Sequence, residues 1–95
     1  MAAVEAAATA LKNAGAQVGD ATVAPEFASI GEAHHDIEYF EMARGFAWEL
    51  DHHRAQLSEA FCARLERGGR CPLERYHTAQ QHALRCRALL EALMS

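Results

Sequence analysis

Three Glu-x-x-His spacings are the part of this sequence that could carry chemistry. Residues three apart on a helix lie on one face, so each spacing places a carboxylate beside an imidazole. Ferritin-like di-metal sites use ligands placed in this way. The candidate metal ligands are therefore Glu32, His35, Glu49, His52, Glu74 and His77.

A shared metal ion meets a geometric obstacle. If residues 30–50 form one straight helix, His35 and His52 lie roughly 25 Å apart along its axis. A single ion would then require a reversal of the chain near Gly45 or ligands from a second subunit. The simpler interpretation is that the three pairs are solvated or salt-bridged helix residues, and we predict no metal site and no cofactor.

The candidate nucleophiles are few and poorly placed for catalysis. None of the three serines lies in a glycine-flanked turn that would expose and activate its hydroxyl. The single lysine, Lys12, suits the end of a first helix, where a positive charge is favourable. We therefore predict no catalytic residue. The cysteines form no C-x-x-C pair, which indicates reduced, buried thiols at Cys62, Cys71 and Cys86.

The composition is that of a small, alanine-rich helical protein. The chain has 95 residues and a net charge of −4, and 21 of its residues are alanine. Alanine buries little surface, so the larger apolar side chains can form only a thin core. The acidic balance disfavours nucleic acid as a partner, no run is long enough to cross a membrane, and no signal peptide is visible. We expect a cytoplasmic protein.

The two halves of the chain differ in charge. Residues 1–55 carry nine acids and three bases, whereas residues 56–95 carry four acids and six arginines. Six arginines spread over two helices form no compact phosphate-binding patch. The asymmetry therefore predicts complementary helices that pack or pair with each other.

The first quarter of the chain predicts a helix followed by a strand. An alanine-rich helix is expected to end at Gly15, which suits the left-handed position after the last turn. Val18 and Val23 then favour a short strand within residues 16–23, closed by Pro25. No second strand is apparent, and a lone strand leaves its backbone groups unpaired. This absence indicates that residues 1–95 are a single partial domain.

From Pro25 onward the pattern predicts helices. A stripe of apolar residues runs from Ile30 to Leu50, with Gly45 as a point of bending or interruption, and residues 51–54 form a polar break. Ser58 caps a short helix that the pair Gly68–Gly69 should end, and a last helix opens at residues 70–72. The predicted fold is mainly α, with about four helices and one short strand.

The order of these elements resembles the later half of an amidase of the amidase signature family. The resemblance covers residues 4–94 and rests on an ordered series of degenerate segments. They are Leu11-Lys-Asn-Ala-Gly15-Ala16, Pro25-Glu-Phe27, Glu32-Ala-His34, Tyr39-Phe-Glu41-Met-Ala43-Arg44, Trp48-Glu49, Leu57-Ser58, Leu65-Glu-Arg-Gly68 and Leu73-Glu-Arg-Tyr76. The sequence departs from the family pattern at Cys71-Pro72, where a small polar cap is usual.

The resemblance implies a helical segment of a larger α/β amidase fold. Enzymes of that family hydrolyse amide C–N bonds with a serine nucleophile, a second serine in a cis peptide and a lysine. Nothing here matches the segment that carries those residues, and Lys12 does not match the lysine motif. By resemblance the chain is therefore inactive in isolation, and its partner is the remainder of the parent amidase.

A second function is open beside the amidase fragment. The chain is then a stand-alone helical module that self-associates and binds metal through its Glu-x-x-His pairs. In a parent enzyme the stripe from Ile30 to Leu50 and the predicted strand would face other parts of the fold, and without them they expose an apolar patch and an unpaired edge. We therefore expect a homo-oligomer when the chain is expressed alone.

Overall fold

The computed structural model describes residues 2–95, and within them the chain forms five α-helices and no strand. The helices are α1 (Ala2–Asn13), α2 (Ile30–Gly45), α3 (Ala47–His53), α4 (Glu59–Arg70) and α5 (Leu73–Leu93). Two 3₁₀ turns, Pro25–Ser29 and Arg54–Gln56, precede α2 and follow α3. The mainly α prediction is confirmed. None of the helices formed by residues 2–95 has the length and apolar character needed to cross a bilayer.

The strand predicted within residues 16–23 is wrong. Residues 16–24 connect α1 to the first 3₁₀ turn without regular structure, and most of their side chains are exposed. Gly19 and Asp20 lie in the middle of this segment and are both poor strand residues. With no neighbouring strand in residues 2–95, an extended segment here gains no ladder of hydrogen bonds, so the two valines do not impose one.

The end of α1 follows the prediction. Gly15 adopts a positive φ of 99°. The amide of Ala16 donates to the carbonyl of Leu11 at 3.0 Å, and the amide of Gly15 donates to the carbonyl of Lys12 at 3.0 Å. These two bonds form a Schellman motif, which satisfies carbonyls that the helix end leaves without a partner.

The long helix predicted from Pro25 is divided into three pieces. Pro25 opens a 3₁₀ turn rather than an α-helix, and α2 ends at Gly45 as the glycine indicated. Phe46 leaves the helical region with φ −110° and ψ 18°, and its ring packs edge-on against Phe61 at 5.2 Å. The polar break expected at residues 51–54 begins late, because α3 continues to His53.

Ser58 caps α4 as predicted, but Gly68 and Gly69 do not end it. The Ser58 hydroxyl accepts a hydrogen bond from the amide of Phe61 at 3.1 Å. The helix continues through both glycines to Arg70. Gly68 is buried, and a Cβ built on it would overlap the carbonyl of Tyr39 in α2 and approach the Ala43 Cβ to 3.0 Å. Glycine at this position therefore allows the two helix backbones to touch.

The core is small and centred on α2. Both α4 and α5 pack along α2. The buried apolar residues of the described chain are mostly small, and Leu65 is the most fully buried at 1% exposure. They are Ala33, Phe40, Cys62, Leu65, Ala79 and Cys86.

The seam between α2 and α5 is held by aromatic and charged groups. Phe40 and Tyr76 stack with ring centroids 4.0 Å apart. The Tyr76 hydroxyl donates to Glu41 at 2.9 Å, and Arg75 donates to Asp36 at 2.9 Å. Two of the six arginines of the second half, Arg75 and Arg85, thus pair with acids of the first half, which confirms the prediction of complementary helices.

The molecule is elongated. Its principal extents are 57 × 29 × 16 Å and its radius of gyration is 19.1 Å, whereas a compact chain of this length has about 12 Å. Within residues 2–95, α1 buries none of its residues and no other helix packs along it. The elongation therefore comes with a helix that stands apart from the core.

Replacing Gly68 with alanine should destabilise the fold by about 1–3 kcal/mol, because the added methyl group forces α4 away from α2. The neighbouring Gly69 has open space around it, and Gly69→Ala should instead stabilise the fold by up to about 1 kcal/mol through helix propensity. Urea unfolding followed by circular dichroism at one fixed protein concentration measures both. Equal effects of the two substitutions would contradict the close approach.

Candidate functional site

Three of the four side chains in the first two Glu-x-x-His pairs have neighbours that occupy them, whereas Glu49 has a buried Oε2 atom with no hydrogen-bond partner among the described residues. His35 of α2 stacks on Tyr39 with ring centroids 5.3 Å apart, and Glu32 lies 3.8 Å from Arg75. In α3, His52 stacks on Trp48 at 4.7 Å and its Nδ1 lies 2.9 Å from the Trp48 carbonyl oxygen. These contacts are those of ordinary helix residues.

The third pair lies on α5, apart from the others. His77 lies beside Tyr76, with ring centroids 5.9 Å apart. The three pairs thus belong to α2, α3 and α5. Among residues 2–95, no three His, Cys, Asp or Glu side chains are grouped to hold a metal ion. The geometry does not bring Glu32, His35, Glu49, His52, Glu74 and His77 into one site.

The closest grouping of reactive side chains lies between the Pro25–Ser29 turn and α5. The Ser29 hydroxyl lies 3.0 Å from His82 Nε2. The Cys86 thiol lies 3.7 Å from the same nitrogen and 3.7 Å from the backbone carbonyl of Glu26. The spacing of His82 and Cys86, four apart on the last helix, is a signal in the sequence. Ser29 lies 53 residues from His82, and no local pattern joins them.

An ion pair between Arg85 of α5 and Glu26 of the 3₁₀ turn lies beside this cluster. Arg85 donates twice to the carboxylate of Glu26, at 2.8 and 3.1 Å. A hydrogen bond from its own backbone amide, followed by those from Arg85, lowers the pKa of Glu26 below its ordinary value. The pair ties the 3₁₀ turn to α5 one residue before Cys86.

The contacts described for the cluster within residues 2–95 include no third group that orients the imidazole of His82. A serine–imidazole pair becomes a nucleophile when a third group orients the imidazole and amide donors face the developing oxyanion. The hydrogen bonds described for His82 both meet its Nε2 atom. Cys86 is only 3% exposed. The arrangement therefore joins the turn to the helix and presents no accessible thiol.

A polar groove of about 360 Å³ adjoins the cluster between α2 and α5. Arg75 lies in it, and its guanidinium is already held by Asp36 at 2.9 Å. This hydrogen bond raises the pKa of Arg75 above its ordinary value. The charges that line the groove are thus largely matched within the chain. The lining residues are Ser29, Glu32, Ala33, Asp36, Arg75, Thr78, Ala79 and His82.

One apolar surface that the chain leaves partly uncovered is the end of a stripe on α5. Its members alternate in steps of three and four, the spacing of a helix that packs along a partner helix. They are Tyr76, Ala79, Ala83, Cys86, Leu90 and Leu93. The stripe packs on α2 and the 3₁₀ turn as far as Cys86. Beyond it, Leu90 and Leu93 are 46% and 43% exposed. We call these two residues the free stripe.

Comparison of the chain with protein-family models, curated proteins and solved structures finds no match. The resemblance to the amidase signature family therefore stays a prediction made from the residues alone.

The Glu26–Arg85 pair should make stability depend on pH in the acidic range. Because the pKa of Glu26 is lowered in the folded chain, its stabilisation is present above the ordinary carboxyl pKa and is lost as the pH falls through the folded value. Glu26→Gln should lower the melting temperature at neutral pH and flatten its decline toward about pH 3. Glu74→Gln, at an exposed carboxylate outside the ion pairs described for residues 2–95, is the control. Identical pH profiles for both variants would contradict the role of the pair.

The thiols should differ in accessibility in the folded protein. Cys62 and Cys86 are buried, whereas Cys71 is partly exposed. A thiol reagent should therefore modify Cys71 rapidly, and should modify Cys62 and Cys86 only as the fold opens. Mass spectrometry of the labelled peptides identifies the fast site. Rapid labelling of Cys86 would contradict its burial against the 3₁₀ turn.

Proposed function

We propose that this chain is a helical module that self-associates through the free end of α5. The observation that carries the proposal is the free stripe, which continues the packed face of α5 past the point where α2 and the 3₁₀ turn end. A helix face with this spacing is typical of helix–helix packing. The two leucines of the stripe have the chemistry of a core but lie at the surface.

The energetics of the chain favour association. Burying a leucine side chain contributes roughly 1.5–3 kcal/mol, so completing the burial of each half-exposed leucine contributes roughly 1 kcal/mol. A symmetric dimer makes each such contact twice. The core of a single chain contains few large side chains, so these contributions are large beside the total stability of a small domain.

The apolar character of the exposed surface supports a second copy of this chain as the partner. Large apolar side chains are exposed on α1, on α3 and along α5 of the described chain, together with Val23 and Phe46. The charges along the α2–α5 seam are already paired within the chain. What remains to be satisfied is therefore mainly apolar, and copies of one chain can cover such surfaces mutually.

The amide-hydrolase fragment predicted by the resemblance has no observation in its favour beyond the order of the helices. Its catalytic groups lie outside the sequence pattern found here, and the strand that would join a central sheet does not form within residues 16–23. Self-association requires only surfaces that residues 2–95 present.

The test compares two leucine faces of the same helix. Leu90→Glu/Leu93→Glu should shift the chain toward the monomer and raise the dissociation constant by about 100-fold or more, since two carboxylates replace the contact. Sedimentation equilibrium over a range of concentrations measures the shift.

Leu84→Glu is the matched control, because Leu84 is a 64% exposed leucine on α5 that lies outside the stripe. It should leave association unchanged. A wild-type chain that stays monomeric at high concentration, or equal losses in the control and the double variant, would overturn the proposal.

A further inference from the structure

The outer face of α4 carries a row of arginines. Cys62, Leu65 and Gly68 form the buried face of this helix, and each is followed two positions later by an arginine. Two residues turn a helix by about 200°, so the arginines lie on the side that points away from α2. They are Arg64, Arg67 and Arg70, and all three are exposed. We call these three residues the arginine face.

The arginine face differs in its contacts from the other arginines of the second half. Arg75 and Arg85 pair with acids of the first half, and Arg87 pairs with an acid of its own helix. Within residues 2–95, no hydrogen bond or ion pair holds a side chain of the arginine face. Each of these guanidinium groups carries five N–H donors. The arginine face is therefore a row of donors that the chain itself does not use.

Arg67, the central member of the face, is positioned by an aromatic side chain of α2. Its guanidinium lies over the Tyr39 ring, 5.0 Å from the ring centroid. The next residue, Gly68, meets the Tyr39 carbonyl, so the close approach of the two helices places Arg67 beside this ring. A cation–π contact restricts the side chain and leaves its N–H donors available for hydrogen bonds. Arg67 thus presents a preoriented fork of donors, which matches the two oxygens of a carboxylate.

The small size of the arginine face selects the class of partner. The three arginines span about 9 Å along the helix axis, and Glu59 and Glu66 of the same helix limit the basic stretch. Salt-dependent nucleic-acid binding draws on about 6–10 phosphate contacts, and basic segments that bind anionic membranes carry about 4–8 lysines or arginines. The net charge of −4 also opposes attraction to an extended polyanion. Three arginines suit a short row of acids on another protein.

The spacing of the arginines indicates how the partner's acids are arranged. Neighbouring members of the arginine face are about 4.5 Å apart along the axis. A helix with one acid per turn on one face has acids three or four residues apart, which is a step of about 4.5–6 Å. No helix within residues 2–95 carries three acids at this spacing. A second copy of the described chain therefore offers no such row, and the row belongs to a different protein.

We infer that the arginine face of α4 docks an acidic helix of another protein, whose carboxylates accept hydrogen bonds from the three guanidinium groups. This face lies on a different helix from the free stripe of α5, so the inference goes beyond the proposed self-association and does not depend on it. Exposed ion pairs are weak and screened by salt. The contact is therefore weak at physiological ionic strength and tightens as the salt concentration falls.

The test uses an alanine-based helical peptide that carries three glutamates, one per turn on one face, and a second peptide with the same glutamates spread around the helix. Fluorescence anisotropy of the labelled peptides at low salt measures binding to the full chain. The one-face peptide should bind more tightly than the spread peptide. Arg64→Gln/Arg67→Gln should weaken its binding about tenfold, because two ion pairs are lost. Arg67→Lys keeps the charge but lacks the planar fork, so it should weaken binding by less.

Lys12→Gln/Arg87→Gln is the matched control, because it removes the same two charges from exposed positions on α1 and α5. It should leave binding of the one-face peptide unchanged, and circular dichroism checks that all variants keep their helices. Equal losses in the control and in Arg64→Gln/Arg67→Gln would show general attraction and overturn the inference. No binding of the one-face peptide, or equal binding of both peptides, would overturn it as well. Tighter binding to single-stranded oligouridylate or to phosphatidylserine vesicles would overturn the choice of a protein partner.

Discussion

The contact between Gly68 of α4 and the Tyr39 carbonyl of α2 brings two helix backbones together, and the core is built around that approach. No side chain separates the helices at this point. The other helix that packs on α2 is α5. It too buries small residues, Ala79 and Cys86. Close helix packing of this kind depends on small side chains at the crossing point, so α2 can hold a helix on each side with few large residues. The consequence is a core that buries little apolar area, in which each large residue matters more.

The sequence predicts features that depend on one residue and its immediate neighbours. Ser58 caps α4, Gly15 ends α1 in the left-handed conformation, and Gly45 marks the end of α2. Each of these requires only local backbone geometry. The mainly α fold follows in the same way from alanine content and apolar spacing. The helix order was therefore largely predictable.

Features that depend on distant residues were not predictable. Gly68 resembles a helix stop in the sequence, and only the position of Tyr39 explains why glycine is needed inside the helix. The valines at positions 18 and 23 favour a strand, but a strand needs a neighbour that residues 2–95 do not supply. The grouping of Ser29, His82 and Cys86 joins elements more than fifty residues apart. The Glu-x-x-His pairs show the opposite situation. Each pair lies on a helix as its spacing predicts, but the three helices do not bring the pairs together.

The contacts between the 3₁₀ turn Pro25–Ser29 and α5 determine which part of α5 is covered by its own chain. The contacts of Glu26 with Arg85 and Cys86 complete the intramolecular seam and fix where it ends. Past that point α5 continues for two more turns with the same apolar alternation, although no element of its own chain lies along it in residues 2–95. Under the proposed self-association, covering this face would contribute a large share of the stability of the folded chain, because the core of a single copy is thin. Folding and association are then linked, and the population of the folded state rises with the concentration of the chain. The small side chains that allow α2 to hold two helices closely thus also keep the core of one copy small, and this small core is the reason that the proposed self-association would stabilise the fold.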